Sequence, residues 1–210
     1  MRVRPVSTGN LVNELADFLM SREPDSYLRV GVDGPSAAGP GELADSLVDP
    51  LRERGRPVVR IDTSDFLRPA SVRLEFGRDN PDTFYAGWFD EAGLAREVLD
   101  PAGPGGSGRV VTKLWNAATD RAARSPYVSL EKNAVVLVSG PLLLGGGLAF
   151  DVTVHLEISE GALLRRTPEA ERWTAPAFRR YAEEVAPASF ADIVVRVDDL
   201  RRPALVEERW

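Results

Sequence analysis

The chain has 210 residues, of which 43% are hydrophobic and 28% are charged, and its formal net charge is −6. These values are typical of a globular protein, and residues 1–210 are predicted to form a single domain. The acidic balance argues against nucleic-acid binding, which normally requires a basic face. The absence of cysteine excludes disulfides, thiolate metal sites and cysteine nucleophiles.

Targeting signals are not evident in the sequence. No apolar run approaches the roughly 18 residues that a membrane span requires. The first ten residues lack the apolar core of a signal peptide. We therefore expect a cytoplasmic protein without a membrane partner.

Residues 10–21 place apolar side chains at helical spacing, so a first helix is expected, with Thr8 or Asn10 as its cap. A short apolar run at 28–32 then predicts a buried strand. A glycine-rich turn and a second helical pattern follow it, and residues 58–61 predict another buried strand. Strand, helix and strand in this order indicate a parallel βαβ unit, whose ligand site lies at the carboxyl ends of the strands.

The turn after the first strand has the outline of a phosphate-binding loop, G-x-x-x-x-G-K-[ST]. Gly34 and Gly39 occupy its two glycine positions. However, Pro40 replaces the lysine that reaches the phosphates, and Gly41 replaces the hydroxyl residue that binds Mg²⁺. Glu42 follows in the first helical turn, where the helix dipole favours a carboxylate that would repel a phosphate. We therefore predict a degenerate loop that uses neither a metal nor a nucleotide cofactor.

The remaining chain alternates between apolar runs and irregular segments. Residues 67–90 lack periodicity but are rich in aromatic side chains, which indicates a functional loop rather than disorder. A hairpin and turn region is expected at about 101–128, and buried strands at 134–138, 152–158 and 192–197. Residues 160–183 look helical with breaks at Pro168 and Pro176. The whole pattern predicts an α/β fold with a mainly parallel sheet and flanking helices.

Five stretches together are more specific than the loop alone. In chain order they read GVDGPSAAGPGELADSL, IDTSDFLRP, NPDTFYAGWFD, DPAGPGGSGR and VVLVSGPLLL. In this order they resemble the uridine kinase family of P-loop nucleoside kinases over roughly residues 28–200. The resemblance implies the three-layer P-loop NTPase fold of nucleoside kinases.

The departures from the family pattern concern its phosphoryl-transfer machinery. In the family's DDF-type motif, the first acid is the base for the acceptor hydroxyl. The resemblance implies that Ser64 replaces this first acid here, and that only the second acid, Asp65, remains. It also implies that Ser139 replaces the acid ending the Walker-B-like strand. With Pro40 and Gly41, four elements are altered together. Because phosphoryl transfer depends on positioning and charge neutralisation, their joint loss favours release from Mg-ATP.

The acceptor side of the cleft retains more functional groups. Asp62, Asp65 and Tyr85 are the predicted catalytic residues, because clustered carboxylates can raise one another's pKa and act as acid or base. A small-molecule ligand is expected to contact a set of charged and aromatic residues: Asp33, Arg68, Trp88, Asp90, Lys113, Trp115 and Arg165. His155, the only histidine, lies within an apolar strand pattern and is expected to be packed rather than catalytic.

Three functions are consistent with this pattern. The first is an enzyme that has exchanged phosphoryl transfer for cofactor-free acid/base chemistry, such as cyclisation, isomerisation or elimination, in a specialised biosynthetic pathway. The second is a non-catalytic pseudokinase that binds a nucleoside-like ligand or a protein. The third is a uridine kinase-type phosphotransferase with a variant donor site, for which Arg68 or Arg165 would supply the cation. A homodimer is one option for the oligomeric state.

Overall fold

The computed structural model describes residues 2–24 and 26–207 and contains a central seven-stranded sheet. Its strands are β1 (Val3–Pro5), β2 (Leu28–Asp33), β3 (Val58–Asp62), β8 (Val135–Gly140), β9 (Val152–Glu157), β10 (Ile193–Arg196) and β11 (Ala204–Val206). Two small antiparallel pairs lie outside it: β4 (Arg109–Val111) with β7 (Tyr127–Ser129), and β5 (Trp115–Asn116) with β6 (Arg121–Ala122).

The strand order is β1-β11-β10-β9-β2-β8-β3. The five strands from β10 to β3 are parallel, while β11 pairs antiparallel with both β10 and β1. The predicted α/β fold with a mainly parallel sheet is confirmed. Strands β2 and β8 are almost entirely buried, as expected for a parallel sheet covered on both faces. Their carboxyl ends therefore meet at one edge of the sheet.

Helices cover both faces of the sheet. They are α1 (Thr8–Met20), α2 (Pro40–Glu53), α3 (Ala70–Arg73), α4 (Pro81–Gly87), α5 (Glu91–Leu94), α6 (Glu160–Arg166) and α7 (Ala175–Glu184). Apolar side chains of α1 and α2 pack on one face in one cluster, and those of α4, α5 and α7 belong to a second cluster. Burial of these side chains at about 25 cal/mol per Å² is the main force holding the layers together.

Local details differ from the sequence predictions for physical reasons. Ser7, rather than Thr8 or Asn10, caps α1, because its hydroxyl accepts from the Asn10 N–H. The segment 67–90 contains the short helices α3 and α4, which end too soon to show periodicity. Pro176 lies in the first turn of α7 instead of breaking a helix, since proline is tolerated there.

The short edge strand β1 and its neighbour β11 were not expected. Within the described part of the chain, no helix combines the length and the apolar character required to cross a bilayer.

Candidate active-site cleft

The glycine loop joins β2 to α2, but it is folded on itself. Residues Ser36–Ala38 form a 3-10 turn, and Gly39 adopts a left-handed conformation with φ of 78°. The Ala38 N–H donates to the Pro35 carbonyl at 2.7 Å, and the Gly39 N–H donates to the Ser36 carbonyl at 3.0 Å. Pro35 and Pro40 have no N–H to offer. Much of the donor set that a phosphate would use is therefore missing or already satisfied inside the loop.

Glu42 adds negative charge at the same place. A Cβ built on Gly39 would lie 3.5 Å from Glu42 Oε2, so this carboxylate folds back from α2 towards the loop. The amino-terminal end of a helix stabilises such a carboxylate through its partial positive charge. The sequence prediction that Glu42 lies beside the anion-binding position is consistent with this geometry.

A guanidinium group lies where the loop, β3 and β8 converge. Arg60 Nη2 donates to Ser139 Oγ at 2.7 Å and lies 3.6 Å from Asp62 Oδ2. The same nitrogen is 3.4 Å from the Gly41 carbonyl oxygen, and Arg60 Nε donates to Asp45 Oδ1 at 2.8 Å. Ser139 Oγ donates in turn to Asp62 Oδ2 at 3.1 Å. The cluster is thus a hydrogen-bonded network around one half-buried cation.

Gly41 shows which position the guanidinium occupies. A Cβ added there would lie 3.8 Å from Arg60 Nη2, 3.8 Å from Asp62 Oδ2 and 4.0 Å from Ser139 Oγ. In a working P-loop, the hydroxyl at this position and the acid at the end of the Walker-B strand hold Mg²⁺. Arg60 therefore fills the space towards which these metal ligands would point.

The residues present do not fit Mg-ATP. Pro40 has no cationic side chain, Gly41 offers no side-chain oxygen, and Ser139 offers a hydroxyl rather than a carboxylate. Arg60 Nη2 lies beside Gly41, Asp62 and Ser139, and this guanidinium would repel a Mg²⁺ ion bound by the same groups.

The cluster opens onto a cleft of about 490 Å³, which we call the loop cleft. One wall consists of the glycine loop and the start of α2, and the floor contains Arg60 and Asp62 of the polar cluster with Ser64 beside them. The opposite wall is apolar and aromatic, formed by Leu67, Phe84, Trp88 and Phe89. The volume and the mixture of a few polar groups with apolar walls are typical of small-molecule sites.

The three predicted catalytic residues are placed differently. Asp62 lines the loop cleft, where its Oδ1 also accepts from the Ser64 N–H at 2.9 Å. Asp65 forms an ion pair with Lys113 Nζ at 2.7 Å and is absent from the described lining of the cleft. The Tyr85 hydroxyl donates to Glu184 Oε2 at 3.1 Å on α7. Burial, followed by this hydrogen bond, raises the pKa of Tyr85.

Among the predicted ligand contacts, Trp88 reaches the cleft. Its ring also packs 5.5 Å from Phe84 and 5.4 Å from Trp173, and the Arg73 guanidinium lies 5.1 Å above it. Asp90 instead caps α5, because its Oδ1 accepts from the Gly93 N–H at 2.9 Å. The ring contacts hold Trp88 where it can stack on a ligand in the cleft. The cap hydrogen bond gives Asp90 a structural role.

The remaining predicted contacts lie outside the loop cleft. Trp115 Nε1 donates to Asp120 Oδ1 at 3.0 Å in the hairpin region, and Lys113 is paired as described above. Arg68 is exposed next to α4, and Arg165 is exposed on α6. The structure thus brings Asp62 and Trp88 together and places the other predicted residues around them.

Asp33 lies at the end of β2 and is completely buried. Its Oδ2 lies 2.7 Å from His155 Nδ1 and accepts from the Tyr181 hydroxyl at 3.1 Å, while its Oδ1 accepts from the Leu143 N–H at 2.9 Å. Asp33 does not line the loop cleft within the described residues. His155 is packed, as expected, but it is packed against a carboxylate rather than against apolar side chains alone.

Sequence reasoning missed Arg60. A signal was available, since an arginine inside the apolar run VVRID needs a partner if the strand is buried. The contacts of Asp33 with His155 and Tyr181 were also missed. The first depends on the register of β2 and β9, and the second depends on a helical residue 148 positions away from Asp33.

A mainly parallel sheet with helices on both faces and a glycine loop between β2 and α2 makes a three-layer α/β fold. Comparison with solved structures agrees. The chain is similar to a possible uridine kinase from Bacillus stearothermophilus, with a TM-score of 0.72, 20% identity, and coverage of 89% of this chain and 97% of the other. A proposed fructose transport system kinase from Silicibacter sp. TM1040 gives a TM-score of 0.57 and 21% identity, covering 84% and 88% of the two chains.

At this level of identity the similarity shows the fold, and the resemblance to uridine kinase-like P-loop kinases is confirmed at that level. Neither a scan against protein-family models nor a comparison with curated proteins gave a match.

Proposed function

We propose that this protein neither binds Mg-ATP nor transfers phosphoryl groups, and that the loop cleft carries out cofactor-free acid/base chemistry on a small metabolite. The observation that carries the proposal is the Arg60 guanidinium between Gly41, Asp62 and Ser139. The Arg60 guanidinium pairs with the Asp62 carboxylate, which would otherwise be available to a metal ion. The folded loop and Glu42 act in the same direction, because both disfavour a phosphate.

The groups in the cleft suit proton transfer. Asp62 is 40% exposed at its side chain and can reach a ligand in the cleft, where a carboxylate is a competent base. The proton removed from one substrate atom would move to Asp62 and return to another, which completes an isomerisation, or leave with an eliminated group. Arg60, 3.6 Å from Asp62 Oδ2, would stabilise the negative charge that develops on the substrate.

The aromatic wall determines the shape of the ligand. Phe84, Trp88 and Phe89 offer flat apolar surface opposite the polar floor. A planar compound with one polar edge would therefore stack on this wall and direct that edge towards Asp62. Asp65 and Tyr85 remain in the proposal as groups that could contact a larger substrate extending towards Lys113 and α7.

A binder without catalysis is the second candidate, and one observation favours it. Asp62 and Asp65, the two carboxylates proposed as acid or base, each lie beside a cation, Arg60 and Lys113. Neutralised carboxylates can orient a ligand without exchanging a proton with it. If instead a variant phosphotransferase exists, Arg60 is a better candidate for its donor-site cation than Arg68 or Arg165, because Arg60 lines the loop cleft.

We also propose that the protein is cytoplasmic, that it belongs to a specialised biosynthetic pathway, and that it acts as a monomer or a homodimer.

The experiment that tests the proposed function is incubation of the protein with a mixture of small metabolites, without nucleoside triphosphate, followed by mass spectrometry. Under the enzymatic proposal, the wild type consumes at least one compound and Asp62→Asn does not. Retention of the compound by both proteins, with unchanged mass, indicates the binder. Consumption only after addition of ATP would contradict both.

A further inference from the structure

A second cavity lies on the other side of the glycine loop. It occupies about 530 Å³ between the end of β9, helices α6 and α7, and the turn Pro187–Ser189. Pro35 lines this cavity, whereas the next residue, Ser36, lines the loop cleft. We call it the histidine cavity. Its walls are mainly apolar, with Leu156, Leu163 and Phe178 among them.

The floor of the histidine cavity contains a buried hydrogen-bonded group. His155 and Tyr181 both line the cavity, and both contact Asp33 beneath it. Strand pairing brings this about, because Asp33 and His155 are register partners in β2 and β9. Asp33 is completely buried, and 9% of the His155 side chain is exposed. Buried polar groups of this kind are costly unless they are fully paired.

The pairing fixes the direction of each hydrogen bond. The Leu144 N–H donates to the Tyr181 hydroxyl at 2.9 Å, so the hydroxyl proton is free to go to Asp33. Burial and the nearby Asp33 carboxylate raise the pKa of Tyr181, which therefore keeps that proton. Asp33 accepts from Tyr181 and from the Leu143 N–H, so His155 Nδ1 must be the donor in the third contact.

The other ring nitrogen is left as an acceptor. A neutral histidine that carries its proton on Nδ1 has a lone pair on Nε2. No group in residues 2–24 and 26–207 is hydrogen bonded to His155 Nε2. A carboxylate behind Nδ1 holds the ring in one tautomer and one orientation. An unpaired base is thus present on the floor of a mainly apolar cavity.

We propose that the histidine cavity binds a small aromatic compound carrying a hydroxyl group, of the phenol class, whose O–H donates to His155 Nε2. The cavity volume lies within the range of small-molecule sites, and Phe178 supplies an aromatic surface for stacking.

The test uses the fact that His155 is the only histidine of the chain. Imidazole ¹⁵N spectra of the full protein would be recorded with increasing 4-fluorophenol, and in parallel with 4-fluoroanisole, which has the same ring without the O–H. We expect the Nδ1–H tautomer in the free protein and saturable shifts with the phenol. The anisole should bind about tenfold more weakly, as expected for one lost hydrogen bond to a desolvated acceptor. Equal binding of the two probes, unmoved imidazole signals or the Nε2–H tautomer would overturn the proposal.

Two variants separate the hydrogen bond from the cavity. His155→Asn keeps an amide that can donate to Asp33 but removes Nε2, so the preference for phenol over anisole should disappear. Ala182→Leu narrows the cavity without touching Asp33, and both probes should bind at least about fivefold more weakly. Glu183→Leu is the matched control on the same helix, and binding should not change. If His155→Asn does not fold, unchanged phenol binding by Ala182→Leu, measured by ¹⁹F spectra, still refutes the proposal.

Discussion

Replacing Arg60 by methionine tests whether the guanidinium is an integral part of the cleft. Methionine keeps most of the apolar stem and removes the charge. The hydrogen bond to the buried Ser139 hydroxyl is the main loss, because a bond to a charged group contributes about 1.5 to 3 kcal/mol. The pair with Asp45 adds less than about 1 kcal/mol, since the Asp45 side chain is 70% exposed. We expect unfolding free energy to fall by about 2 kcal/mol.

Urea unfolding measures this change. With a slope of about 2 kcal/mol per molar, the midpoint should move by about 1 M. Arg60→Lys keeps the charge but not the fork of donors, and it should lose about half as much. Arg96→Met is the matched control, because Arg96 is 65% exposed and its substitution should cost less than about 0.5 kcal/mol. If Arg60→Met unfolds at the same urea concentration as the wild type, the guanidinium does not hold the cleft together.

Three further substitutions test the surroundings of the two sites. Gly140→Ala would place a Cβ 1.8 Å from Thr63 Oγ1, so we expect the free energy of unfolding in urea to fall by about 3 kcal/mol. Adding Thr63→Ala should restore part of this loss. An unchanged urea midpoint in Gly140→Ala would contradict this packing. Phe84→Leu should cost about 1 to 2 kcal/mol by the same measurement, because Phe84 contacts several rings, and a neutral result would show that the aromatic wall is loosely packed.

The third substitution concerns pH. The Ser159 N–H donates to Asp198 Oδ1 at 2.7 Å, and this bond lowers the pKa of Asp198. A carboxyl with a lowered pKa stabilises the fold above its unfolded-state pKa of about 3.9, and the contribution is lost as pH falls through the folded-state value. The stability difference between wild type and Asp198→Asn should therefore be constant above about pH 5 and shrink below about pH 4. A difference that grows on acidification would contradict the assignment.

The fold was predictable because its signals are local. The apolar runs at 28–32 and 134–138 are long enough to be recognised as buried strands, and the glycine loop between a strand and a helix fixes their connection. Helices α3 and α4 were not predicted, because four and seven residues are too few to show a helical period. Strand β1 has three residues, which are too few to show the alternation of a strand.

The candidate site was predictable in part. The departure of Pro40 and Gly41 from the phosphate-loop pattern can be read without a structure. The partners of the polar side chains are not visible, because they are set by sheet register. Arg60 meets Ser139 across 79 positions, and Asp33 meets His155 across 122 positions. In a parallel sheet buried on both faces, periodicity does not indicate which residues face each other.

Nucleotide binding by the glycine loop is the property that most directly separates the proposed function from a kinase. Isothermal titration calorimetry of the full chain with Mg-ATP measures this, with Mg²⁺ alone as the control titration. Because the loop is folded on itself and Glu42 and Arg60 lie beside it, we expect no saturable heat at Mg-ATP concentrations up to about 1 mM. A Kd weaker than about 1 mM corresponds to less than about 4 kcal/mol of binding free energy. Saturable binding of Mg-ATP with a low-micromolar Kd, or phosphorylation of uridine or cytidine by the same sample, would contradict it.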